Sequence, residues 1–139
     1  MDLEHRNVPL IKQVADGVER EINNALRQQN VTYSQIQLLL RLSETESGSM
    51  PFKALEEKLG VSQAAVARLV KFLASKGYLT VSEDPNDRRV KHAHIAPLGK
   101  SKCDEAHEHM DSIERALGLT TVEAHLLYEL LSKVRQNLK

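Results

Sequence analysis

The sequence predicts a mainly helical fold carrying one small β-hairpin, and three observations support that expectation. Apolar residues recur at three- and four-residue steps over most of the chain, the period of a helix with one buried face. The core must be built from Leu, Val, Ile and Ala, because aromatics make up 4% of the residues and Trp is absent. The helical period breaks clearly at 78–95, where the short runs YLTV and VKHAHI flank the polar turn sequence EDPNDRR. A chain of 139 residues fits one domain or one compact subunit of an oligomer.

Taken in order, Ile11, Val14, Ala15, Val18, Ile22, Ala25 and Leu26 define an amphipathic helix over about 8–29, with Pro9 in its first turn. Thr32 or Ser34 caps a second helix carrying Ile36, Leu39, Leu40 and Leu42. SETESGSM (43–50) reads as a loop, and Pro51 opens a short helix with Leu55 and Leu59 that ends at Gly60. Ser62 caps the next helix, whose Val66, Leu69, Val70 and Leu73 share a face up to the stop at Gly77. After the hairpin, Pro97 and Gly99 interrupt the pattern, and a long polar helix then runs to about Leu117. Thr120 and Thr121 cap a last helix with Val122, Leu126, Leu127, Leu130, Leu131, Val134 and Leu138.

Charge and motifs narrow the function class. Nineteen basic residues balance nineteen acidic ones, but residues 53–91 hold eight Lys/Arg against five Asp/Glu, whereas 1–50 and 101–139 each hold five against seven. The basic middle is therefore the expected face for a polyanion. No apolar run approaches a membrane span, and the N-terminus lacks the layout of a signal peptide, so a protein without membrane partners is expected. A single cysteine permits no internal disulfide, which fits a cytoplasmic location. There is no nucleophile elbow, no glycine-rich phosphate loop and no HExxH, so neither an enzyme nor a cofactor is expected. The apolar stripes of the two terminal helices are expected to form a homodimer.

Residues 52–76, FKALEEKLGVSQAAVARLVKFLASK, give helix, tight turn and helix, with Gly60 leaving the first and Ser62 starting the second. While Val66, Leu69, Val70 and Leu73 look inward, Gln63, Ala64, Ala67, Arg68 and Lys71 occupy the outward face. Small residues let a helix enter the major groove, and Gln and Arg reach base edges. In the hairpin, Pro85 suits the second position of a turn, and Asn86 and Asp87 favour turn conformations. Arg88 and Arg89 thus project from a stiff tip toward a minor groove, and Asp87 can hold one of them in place. The fold expected is a winged helix-turn-helix, and double-stranded DNA is the expected partner.

The chain resembles the MarR family of bacterial transcription regulators. The stretches that carry the resemblance are VTYSQIQLLLRL (31–42), FKALEEKLGVSQAAVARLVKFLASKGYL (52–79) and SEDPNDRRVKHAHIAPLG (82–99). It implies that DPNDRR is the wing tip, with Asp87 holding Arg89 for the minor groove and Arg88 as a phosphate or groove contact. It also implies a DNA-binding region over 31–99 and a helical dimerisation region from 1–30 and 100–139. The DNA-facing residues expected are Ser62, Gln63, Ala64, Ala67, Arg68, Lys71, Asp87, Arg88 and Arg89. The chain departs from the family where Ala64 and Ala65 replace a polar pair, where Ala67 replaces a frequent Thr, and where IAPLG (95–99) replaces the usual LT-x-x-G.

The resemblance further implies a small-molecule effector, and a repressor that such an effector relieves. His5, Tyr33, Arg41 and His125 are lining residues by analogy alone, and Tyr33 and Arg41 read more simply as surface. Cys103 and His107, four apart on one helix face, are weak metal ligands that would need others from a second element; solvated helix residues are the default. Two alternatives stay open: a protein-interaction module that has lost DNA binding and antagonises a related regulator, and a zinc-responsive regulator.

Overall fold

The computed structural model describes residues 5–139. Helix α1 (Asn7–Gln29) ends at Asn30, whose left-handed φ of 58° suits an Asn that can still bond locally. Of the two candidate caps for α2 (Tyr33–Ser43), Thr32 takes the role: its Oγ1 accepts from the Gln35 N–H, and the Gln35 side chain accepts from the Thr32 N–H. This helix buries Ile36, Leu38, Leu39 and Leu42. Leu38 was not in the expected apolar set and Leu40 was, yet Leu38 is fully buried and Leu40 half-buried. A run of three leucines leaves the helix phase ambiguous from sequence, and packing decides it.

The segment expected as a loop contains a strand. Residues Ser49–Pro51 form β1, which pairs antiparallel with the second strand of the hairpin, Ser49 opposite His94 and Pro51 opposite His92. Three residues are too few to show a period of two, so the strand left no signature. Pro51 accordingly closes β1 and caps α3 (Phe52–Leu59) from an extended conformation instead of starting the helix. Gly60, at φ 65°, ends α3, and Ser62 caps α4 (Gln63–Ser75) by accepting from the Ala65 N–H at 3.1 Å.

The hairpin strands β2 (Leu79–Asp84) and β3 (Asp87–Ile95) complete a three-stranded antiparallel sheet in the order β1-β3-β2. Helix α5 (Pro97–Ala116) then begins at Pro97 itself, so Pro97 and Gly99 lie inside the helix and do not interrupt it. Proline loses nothing at the first helical position. Gly99 is there for space, since an added Cβ would collide with the Tyr78 carbonyl oxygen and press on Ile95. Helix α6 (Thr121–Asn137) starts in a second capping box, Thr120 with Glu123.

Leu38, Leu39, Leu42, Leu55, Val66, Leu73 and Leu79 are the large side chains buried completely, and they join α2, α3, α4 and β2. Each contributes about 1.5–3 kcal/mol by leaving water. Gln29 and Lys102 tie α1 to α5 by exchanging bonds: the Gln29 amide donates to the Lys102 carbonyl at 3.1 Å, and Lys102 Nζ donates to the Gln29 carbonyl at 2.9 Å. Helix α6, by contrast, buries none of its residues. No helix among the described residues is long and apolar enough to cross a membrane.

Candidate nucleic-acid interface

Helix α4 follows α3 through the Gly60–Val61–Ser62 corner. Its inner face is fixed by Val66, Val70 and Leu73, which are buried, with Leu69 half-buried beside them. Burial of those positions dictates the opposite face by helical geometry. Gln63, Ala64, Ala67, Arg68 and Lys71 are all exposed there, and Ser62 is exposed at the helix start with its hydroxyl oxygen engaged as the cap. The face presents small residues over its first turns and cations beyond them.

The wing is stiffened from both ends. Asp84 Oδ1 accepts from the Asn86 N–H at 2.8 Å across the two-residue turn Pro85–Asn86. Further down, the hydroxyl of Ser82 lies 2.6 Å from His94 Nε2, and His92 Nε2 lies 3.6 Å from Asp84 Oδ2. The ladder pairs Glu83 with Lys91 and then Asp84 with Asp87, so its register slips. Residues 88–90 consequently stand opposite no residue of β2, and a bulge of this kind re-aims side chains at a strand end.

Arg89 is the residue so aimed. Its Nε donates to Asp87 Oδ1 at 3.1 Å and its Nη2 to Asp87 Oδ2 at 3.2 Å, while its backbone N–H also reaches Oδ1 at 3.0 Å. This two-point grip holds the guanidinium plane while leaving its side chain 91% exposed. The Arg89 side chain, and then its backbone N–H, hold the Asp87 carboxyl below its ordinary range. Arg88 is exposed beside it. A carboxylate at a cationic tip is therefore a clasp on one arginine. The sequence foresaw this pairing; it offered no sign of the slipped register, which depends on where the ladder fails.

Other cavities lie away from this face. Tyr33, Ser34, Gln37, Arg41, Lys58 and Leu69 are among the residues lining a cleft of about 240 Å³ between α2 and the α3–α4 corner. There Arg41 Nε is buried with no hydrogen-bond partner, although its Nη1 lies 3.5 Å from Glu44. Tyr33 and Arg41 are thus brought together and joined by Lys58, which sequence reasoning passed over because a lysine at a helix end reads as solvated. His5 and His125 do not line it; His125 sits in a shallow depression on α6 with Val122 and Leu126. The larger cavity, about 960 Å³, is an apolar trough between α1 and α6, lined by residues including Leu10, Ile11, Val14, Leu127, Leu130 and Val134.

Cys103 is buried, and burial pushes its thiol upward against the opposing bond from Ser43. His107 is exposed, though both residues border one polar cavity. No group of three or more His, Cys, Asp or Glu among the described residues is placed to hold a metal ion.

Comparison with known proteins agrees with this architecture. Residues 31–91 match the model of the MarR family. The chain is 31% identical over 93 residues to the uncharacterised HTH-type transcriptional regulator YwaE of Bacillus subtilis, covering 66% of this chain and 54% of that protein. The chain thus spans about half the length of that relative. It is 27% identical over 139 residues to the multiple antibiotic resistance protein MarR of Salmonella typhimurium, covering 96% of this chain and 95% of that one. Its fold superposes with a TM-score of 0.76 on Sco3205, a MarR family transcriptional regulator from Streptomyces coelicolor solved in complex with DNA, at 19% identity over 100% of this chain and 91% of the other. The family's members are transcriptional regulators and not enzymes. Together with the helix-turn-helix and the clasped wing, these matches identify residues 31–91 as a MarR family domain.

Proposed function

We propose that this protein is a homodimeric, cytoplasmic transcription regulator that binds a pseudo-palindromic duplex and represses from it. In each protomer α4 enters the major groove with Ser62, Gln63, Ala64, Ala67, Arg68 and Lys71 toward the bases and backbone. Arg89 enters the adjacent minor groove with Arg88 alongside, and the two-fold axis sets half-sites about one helical turn apart. The observation that carries the reading is the clasp: an almost fully exposed guanidinium held in one plane by Asp87, beyond a helix whose outward face is free of acidic residues. Pre-ordering that arginine lowers the entropy lost on docking.

The same reading makes the terminal helices, 1–30 and 100–139, the dimerisation region around the 31–99 DNA-binding region. It makes the α2–α3–α4 cleft the effector site. Tyr33, Arg41 and Lys58 suit a small anion with an apolar body, and the unpartnered Arg41 Nε is the donor that such a ligand would satisfy. Occupancy there alters the seat of α4 and releases the duplex.

Fluorescence anisotropy of the purified protein against fragments of its source genome, across a salt series, tests the core of this. The expected result is tight binding to a few fragments with a log–log salt slope of several units. Absence of binding to any fragment at low salt would leave the alternative of a protein-interaction module, for which the small Ala64–Ala67 surface is the supporting feature.

A further inference from the structure

The outward face of α4 carries an unusual distribution of chemistry, and it bears on which bases are read. The residues near the start of a recognition helix contact base edges, while those further along meet the backbone. At the start of α4 that set is Ser62, Gln63, Ala64 and Ala67, all exposed. The Ser62 oxygen is occupied in capping the helix, accepting from the Ala65 N–H at 3.1 Å. Gln63 is then the one long polar side chain in the first turn and a half. Ala64 and Ala67, three residues apart, set two methyl groups side by side on the same face. Arg68 and Lys71 follow about one turn beyond.

Each of these groups has a natural counterpart on a major-groove edge. A glutamine amide pairs in two-point fashion with adenine N6 and N7, and alanine methyls pack against the C5-methyl of thymine. No acidic side chain lies on this face to accept from cytosine N4. We infer that α4 reads thymine methyl groups: Ala64 and Ala67 pack on thymines at the centre of each half-site, Gln63 holds an adjacent adenine, and Arg68 and Lys71 serve the backbone. The inference rests on the DNA-binding reading above and adds the identity of the bases.

Removing the methyls from the DNA tests it without touching the protein fold. A duplex is first selected from random sequence with the full-length protein, and each thymine in it is then replaced by deoxyuridine, which keeps the pairing and loses one methyl. The expected result is an affinity loss of about fourfold when one central methyl is removed from one half-site and about fifteenfold when the same methyl is removed from both. Thymines outside the central positions are expected to tolerate the change. In an Ala64→Ser/Ala67→Ser protein, with helix content and thermal midpoint unchanged, the thymine-to-uracil ratio is expected to fall toward one.

A ratio of one at every thymine overturns the inference, as do selected half-sites lacking central A·T pairs. A ratio that persists unchanged in the double variant overturns it too, since another residue then reads the methyl. In those three cases DNA binding itself stands. If no duplex is selected at all, the DNA-binding reading falls and the methyl readout with it.

Discussion

Helix α6 is the largest apolar liability of the isolated chain, and it gives a sharp prediction. It buries none of its residues, and across the trough Leu130 is 61% exposed and Leu10 57%. Burying a leucine completely is worth about 1.5–3 kcal/mol, so covering the exposed half of Leu130 contributes about 1 kcal/mol per copy. A two-fold interface uses the residue twice, which makes Leu130→Ala a loss of about 2 kcal/mol per dimer, or roughly thirtyfold in the dimer dissociation constant. Leu130→Glu adds two desolvated charges, and the penalty then rises to several thousandfold or more. Because α6 contributes nothing to the buried core, neither change should unfold the protomer, which circular dichroism and thermal melting verify. Sedimentation velocity at concentrations from about 0.1 to 50 μM reads the result, since that span is wide enough to register a roughly thirtyfold shift in a micromolar dissociation constant. A Leu130→Glu protein that still sediments as a dimer throughout, or a parent protein that is monomeric throughout, refutes the proposal that the terminal helices form the dimerisation region.

Other expectations follow from single contacts. The Asp87 carboxyl is held below its ordinary range by Arg89, so the clasp is intact at neutral pH and opens only as pH falls through that lowered value. By NMR its titration midpoint should move up in Arg89→Ala, and an unchanged midpoint would show that something else depresses it. Leu38→Ala removes a fully buried side chain and should cost about 2–5 kcal/mol in urea unfolding, with a loss under 1 kcal/mol contradicting its place in the core. Gly99→Ala must displace the Tyr78 backbone, whereas Gly60→Ala meets no atom and bears only its φ of 65°. The second should therefore cost about 1–2 kcal/mol and the first clearly more; the reverse order in thermal unfolding would overturn the steric account.

Much of this architecture was legible before any coordinates. The caps at Ser62 and Thr120, the glycine stop at Gly60 and the inward set of α4 all follow from local chemistry that tertiary packing did not override. That Asp87 holds an arginine of the tip was legible because the partners lie within one turn, while the choice of Arg89 over Arg88 came from the family resemblance. What escaped was non-local. Strand β1 exists because β3, far along the chain, offers it a partner in His92–His94, and nothing within Ser49–Pro51 announces that. Gly99 looked like a helix breaker until the Tyr78 carbonyl occupied the place of its side chain. The cleft joining Arg41 to Lys58 likewise arises from packing α2 against the α3–α4 corner, a relation no periodicity encodes.

The most direct test of the account is a hydroxyl-radical footprint of the protein on a selected duplex, with the parent protein and with Arg89→Ala. Two protected minor-groove patches are expected to flank a pair of major-groove contacts, and the flanking patches alone should vanish in the variant. Flanks that persist without Arg89, or protection confined to one side of the site, would contradict a wing that reaches into the groove from each protomer.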